Sequence, residues 1–187
     1  MNNLNYNVQP LRTNIEIQDF QFWLRRTSNS ERDSFLFLFG INNGLRISDI
    51  VSLKVGDIRG VRKPIIIEKK TGKRKPIYTA NLFNEIDEYT KHMNSNDWLF
   101  PSRQQGGHIK PNTVYKLYTD IANNLGRNDI GTHTLRKTFG YHYYKKTKDI
   151  ATLMFIFNHS SQSITKRYIG ITEDEIGASL EGFKLGG

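Results

Sequence analysis

The chain has no cysteine. That excludes a disulfide framework, a thiolate zinc or iron–sulfur centre and a cysteine nucleophile. Long apolar runs are also missing. The longest, residues 35–41, falls far short of the ~20 residues that cross a bilayer, so no membrane partner is expected. Residues 1–10 show no basic segment followed by an apolar one, and do not read as a secretory signal. Acidic residues are scarce relative to basic ones: 18 Asp and Glu face 27 Lys and Arg, a formal charge of +9 on 187 residues. A polyanionic partner explains this excess, and so does simple solubility. Apolar residues at 37% and aromatics at 12% supply a core, which excludes a disordered chain.

Residues 1–13, rich in Asn, read as a linker or N-terminal extension, and residues 14–187 as one unit. Asn14 is the expected N-cap of a helix over 15–26. Ser30, with Asp33 three residues on, caps a second helix through Phe35-Leu36-Phe37-Leu38-Phe39, buried nearly all round and ended by Asn43-Gly44. A short helix follows over 46–53. Segments 55–58, 64–69 and 75–79 read as three short strands, with turns at Arg59-Gly60 and Thr71-Gly72. Helical periodicity returns at Leu82, Ile86 and Tyr89. The stretch 97–101 reads as a packed loop and 105–108 as a flexible one. Further helices are expected over 111–125, 134–146, 150–157, 161–168 and 173–180. The expected class is α+β, mostly helical, with one small three-stranded antiparallel sheet.

Three segments carry chemistry. In Asn43-Gly44-Leu45-Arg46-Ile47-Ser48-Asp49, Arg46 stands where a guanidinium points out of a helix end, and Asp49 lies within reach to hold it. Taken alone, this is an ordinary salt bridge. In Thr132-His133-Thr134-Leu135-Arg136, a His and an Arg share one face of a helix start, where backbone dipole, fixed cation and titratable imidazole suit a phosphate. A solvated basic face is the plain alternative. In the third, His159 precedes Tyr168 by nine residues, across a turn and a short helix.

In this order the segments resemble the catalytic domain of tyrosine recombinases, the phage-integrase family, over about residues 14 to 182. The resemblance implies that Arg46, Lys70, His133, Arg136, His159 and Tyr168 are the catalytic set, with Tyr168 the nucleophile. Lys70 matches the family's hairpin lysine in Glu68-Lys69-Lys70-Thr71-Gly72-Lys73, and Lys69 and Lys73 are the fallbacks. Phe100-Pro101-Ser102 and Thr113-Val114-Tyr115 also look like the family. Two positions depart: Asn158 stands where a Gly is usual before His159, and Lys137 where a His is common. The core-binding and arm-binding domains usual upstream in the family are expected to be absent, leaving a catalytic domain alone.

The implied activity is metal-independent, site-specific cleavage and rejoining of double-stranded DNA through a 3′-phosphotyrosine, as in an integrase or recombinase of a phage or mobile element. No cofactor is implied, and the Asp and Glu spacing offers no magnesium site. The same chemistry used for topoisomerase IB-like relaxation is one alternative. A non-catalytic DNA-binding module that kept the fold is another. The resemblance further implies a cytoplasmic, bacterial or phage-encoded protein, monomeric without DNA and homo-oligomeric on it, with a tetramer in the full-length synapse. The helix over 173–180 would dock on a neighbouring protomer or fold back on its own domain.

Overall fold

The computed structural model describes residues 8–103 and 106–184. It is mostly helical with one small antiparallel sheet. Helix α1 (Asn14–Leu24) is capped by Thr13, not Asn14. The Thr13 hydroxyl accepts from the Glu16 N–H at 3.1 Å and the Glu16 carboxylate accepts from the Thr13 N–H at 2.9 Å, a reciprocal box that a Thr-x-x-Glu spacing provides. Helix α2 (Ser30–Asn43) follows, with Asn29 rather than Ser30 at its N-cap. Phe35, Leu36, Phe37 and Phe39 are all buried. This helix is the centre of the main core, where Phe20 stacks on Phe37 and meets Tyr118 edge-on.

Gly44 closes α2 in the left-handed region at φ +62°, and a Cβ there would stand 2.4 Å from the Phe139 ring. Only glycine meets both conditions. The short helix α3 (Ile47–Ile50) starts directly after Arg46, its N-cap.

Residues 55–58 are not a strand but a helical turn, α4 (Val55–Ile58). The apolar residues Val55 and Ile58 are three apart and both buried, which suits one face of a helical turn. The Asp57 carboxylate accepts from the Lys54 N–H at 2.7 Å and fixes the turn's start. The sheet therefore has two strands, not three: β1 (Ile65–Ile67) and β2 (Arg74–Pro76), with Ile66 opposite Lys75. A 3₁₀ turn (Ala80–Leu82) leads into α5 (Phe83–Thr90). In the loop expected to be flexible, Gln105 lies outside the described residues, while His108 forms a bridge with Pro101.

Helix α6 (Pro111–Asn124) begins with Pro at its first turn, and α7 (Thr132–Thr147) is the longest of the described helices. Then come α8 (Ile150–Phe157), α9 (Gln162–Tyr168), capped by Ser161, and α10 (Ile171–Leu180). A second, smaller core joins α7, α8 and α9 through Tyr141, Tyr144, Leu153, Phe157 and Ile169. Gly140 sets its spacing: a Cβ there would lie 2.6 Å from Ile169 and 2.8 Å from the Phe157 ring. Residues 8–13, before α1, pack on this body. Leu11 is fully buried, its N–H donates to the Thr138 hydroxyl at 2.9 Å, and Arg12 pairs with Asp174 at 2.5 Å.

Candidate active site

The two cores meet where the ends of α2, α7, α8 and α9 converge, and six side chains singled out in the sequence lie around that point. Arg136 projects from the second turn of α7 and is 2% exposed. Its two terminal nitrogens donate to the carbonyls of Gly44 and Phe157, each at 2.7 Å, and its guanidinium lies 4.2 Å from the centre of the Phe157 ring. One cation thus ties the end of α2 to the end of α8. The left-handed turn at Gly44 is what presents its carbonyl.

Arg46, at the start of α3, extends toward the hairpin. Its partner is not Asp49 but Glu68, whose Oε1 accepts from Nη1 at 2.9 Å. Asp49 instead accepts from the backbone N–H of Lys69 at 2.8 Å. The reason is reach: Asp49 sits inside its own short helix and faces the hairpin backbone, while β1 brings Glu68 to the guanidinium. The hairpin turns on Gly72, at φ +67°, whose N–H bonds the Glu68 carbonyl at 2.8 Å. Lys70 rides on this turn and lines a cleft of about 250 Å³ with Arg46, Ile47, Ser48, Thr132, His133 and Arg136.

Tyr168 ends α9 and reaches the cleft's edge through His133. Its hydroxyl lies 3.2 Å from Nδ1 of His133, within the same chain. The Phe157 and His159 rings meet the Tyr168 ring edge-on, and the Lys137 ammonium lies 5.2 Å from the ring centre. His159 follows Asn158, which adopts the left-handed conformation at φ +53° that the usual Gly would take. Nδ1 of His159 is hydrogen-bonded to the Thr165 hydroxyl at 3.1 Å, and that hydroxyl donates to the Ser161 carbonyl.

The electrostatics follow from this crowding of cations. Burial pushes the His133 pKa below its ordinary value, and Lys137, Arg136, Arg46 and Lys70 push it the same way. Burial, then Arg136, Arg46 and Lys75, brings His159 down to about 4. Both imidazoles are neutral near pH 7, so His133 can accept a proton from the phenol beside it. Burial raises the Tyr168 pKa, against the pull of Arg136 and Arg46. The phenol is therefore protonated at rest, in a field that favours its anion. The arrangement combines a phenol, a proton acceptor and two guanidinium groups around one cleft open to a phosphodiester-sized group.

All six expected residues border this centre. Glu68, Lys75 and Thr165 were missed. Glu68 is an acid in a basic run just after β1, and it is buried like Ile66 two residues earlier. That two-residue alternation was its available signal. Among the described residues, no three His, Asp or Glu side chains gather as a metal site, and no helix is long and apolar enough to cross a membrane.

Comparison with known proteins bears on the family and the fold. The family model described as "Phage integrase family" matches residues 13–175. A probable integrase/recombinase of Bacillus subtilis, YoeC, is 48% identical over 177 residues, covering 94% of this chain and 97% of that protein. The tyrosine recombinase XerA of Pyrococcus horikoshii is 29% identical over 160 residues, 82% of this chain but 55% of XerA. Among solved structures, the Tn1549 transposon integrase in complex with circular intermediate DNA superposes with a TM-score of 0.70 at 16% identity, over 85% of this chain and 60% of that one. The XerA recombinase superposes at 0.69 and 17% identity, over 94% and 64%. These two likenesses concern the fold. From the family match, which runs over most of its length, and from its 48% identity with YoeC, the chain belongs to the phage integrase family of tyrosine recombinases.

Proposed function

We propose that this chain cleaves and rejoins DNA strands, with Tyr168 as nucleophile. The observation that carries the reading is the Tyr168 hydroxyl, 3.2 Å from a neutral His133 at a cleft bordered by Arg46, Lys70 and Arg136. The phosphodiester enters that cleft. The fork of Arg46 neutralises its non-bridging oxygens, with Arg136 adding its field from behind. The Tyr168 oxygen attacks phosphorus while its proton passes to Nδ1 of His133. The bond from phosphorus to the 5′-oxygen breaks, Lys70 protonates that oxygen, and a 3′-phosphotyrosine with a free 5′-hydroxyl results. The ester keeps the phosphodiester linkage, so a 5′-hydroxyl reseals the strand in the reverse step without ATP.

Double-stranded DNA is the proposed partner. The DNA complexes among the structural neighbours and the formal charge of +9 support it. Residues 14–187 form the proposed catalytic unit, with residues 1–13 the proposed extension, of which residues 8–13 pack against the unit. The free chain is proposed to be a monomer that assembles only on DNA. In it α10 is engaged by its own domain: Asp174 pairs with Arg12, and Glu175 accepts from the Tyr144 hydroxyl at 2.8 Å and pairs with Lys166 at 3.0 Å.

A pool of nicked duplexes of randomised sequence tests the activity. The wild-type chain should form a detergent-stable protein–DNA adduct, undiminished by EDTA. DNA retained only by a detergent-sensitive complex would leave a binding module. Loss with EDTA and recovery with magnesium would overturn the metal-independent mechanism.

A further inference from the structure

Glu68 has no part in the steps just described, yet it is 2% exposed at the centre of the site. Its Oε1 accepts from Arg46 at 2.9 Å and lies 3.5 Å from the Lys75 ammonium. Its Oε2 accepts from the Thr71 hydroxyl at 2.9 Å. Burial pushes a carboxyl up, but Thr71, Lys75 and Arg46 outweigh it and hold this one below the usual carboxylate range. Lys75 also donates to the Ile156 carbonyl at 2.6 Å, one residue before the carbonyl that holds Arg136. A single carboxylate therefore links the start of α3, the turn that carries Lys70 and, through Lys75, the end of α8.

We propose that Glu68 is a positioning residue for strand cleavage: it takes one edge of the Arg46 guanidinium and leaves the rest of the fork aimed at the phosphate. Arg46 hangs on a rotatable stem among like charges, and the charges of Arg136 and Lys75 act in the same space. Without an anion behind it, the guanidinium has no reason to hold one orientation. Asp49 does not supply that anion: its Oδ1 accepts from the Lys69 N–H, and its buried Oδ2 makes no hydrogen bond to Arg46. The competing role is structural, in which Glu68 only neutralises the buried Lys75. The inference rests on the cleavage reading above.

The experiment uses the full chain, with adduct formation on the randomised nicked duplexes measured in single turnover and DNA affinity measured in parallel. Glu68→Gln should lower the cleavage rate at least about tenfold, with affinity unchanged or slightly tighter because a negative charge leaves the binding face. A wild-type rate, or an affinity loss matching the rate loss, would overturn the role. Adding Lys75→Met removes the cation that a structural role needs neutralised. Glu68→Gln with Lys75→Met should stay impaired, and recovery to within about threefold of wild type would make the role structural. On the sequence recovered from the pool, sulfur in place of the bridging 5′-oxygen should not rescue Glu68→Gln. Rescue would put Glu68 on the leaving-group side and overturn its assignment to Arg46. If Glu68→Gln does not fold, Glu68→Asp keeps the charge with a shorter reach and should cleave slowly; a normal rate there overturns the inference. A wild-type chain that forms no adduct removes the cleavage reading and the inference with it.

Discussion

At the scale of single residues, the proposed cleavage depends on geometry that charge alone does not reproduce. Arg46→Lys keeps a cation but loses the planar fork, so cleavage should remain severely impaired. A rate within about threefold of wild type, roughly 0.7 kcal/mol, would make Arg46 a surface residue. Lys70 is tested by its leaving group. A thiolate departs without the proton an alkoxide needs, so 5′-bridging sulfur should rescue Lys70→Ala but not Arg46→Ala. Rescue of Lys69→Ala or Lys73→Ala instead would move the acid to that lysine. His159 makes a prediction about pH. Its pKa falls from an ordinary 6.5 to about 4 on folding, so the unfolded chain binds the proton more readily. The stability this imidazole contributes is complete above about pH 6.5 and is lost as pH falls toward about 4. Melting temperature should drop over that window, and the drop should be shallower in His159→Gln. Equal slopes in the two proteins would contradict the assigned environment.

At the scale of elements, α7 and α9 must approach closely for His133 to reach Tyr168, and Gly140 permits it. Gly140→Ala places a methyl against Ile169 and Phe157. Overpacking of this kind costs about 1–3 kcal/mol, and here it should also slow adduct formation, because Ile169 adjoins Tyr168, the proposed nucleophile. A melting temperature at or above wild type would show that the contact yields freely. The helices were legible in the sequence because caps and periodicity agree over many residues, as in α2 with its terminal Gly44. The segment 55–58 was not. Four residues with apolar ends fit a strand as well as a helical turn, and the deciding bonds, from the Gly56 N–H to the Ser95 carbonyl and from Lys54 to Asp57, depend partly on a distant loop. The same limit hid Glu68. Its partner Arg46 is 22 residues away, beyond any local spacing rule, so neighbouring Asp49 looked like the anchor. The six site residues were readable because their identities and order survive without coordinates. Their mutual distances were not.

At the scale of the whole molecule, the +9 charge and the cleft bordered by Arg46, Lys70 and Arg136 suit DNA binding dominated by phosphate contacts, as the proposed function requires. The isolated chain should bind weakly, with steep salt dependence and little sequence preference. Nanomolar, site-selective binding at physiological salt would contradict this. With α10 held by Arg12, Tyr144 and Lys166 of its own chain, light scattering should give a monomer without DNA. A stable dimer lost on truncation at Thr172 would refute that assembly. The central claim is the covalent one, and mass spectrometry of the digested adduct tests it most directly. A nucleotide should be found on the peptide containing Tyr168, and Tyr168→Phe should bind DNA as well as wild type while forming no adduct. A nucleotide on another residue, or an adduct that survives in Tyr168→Phe, would contradict the account.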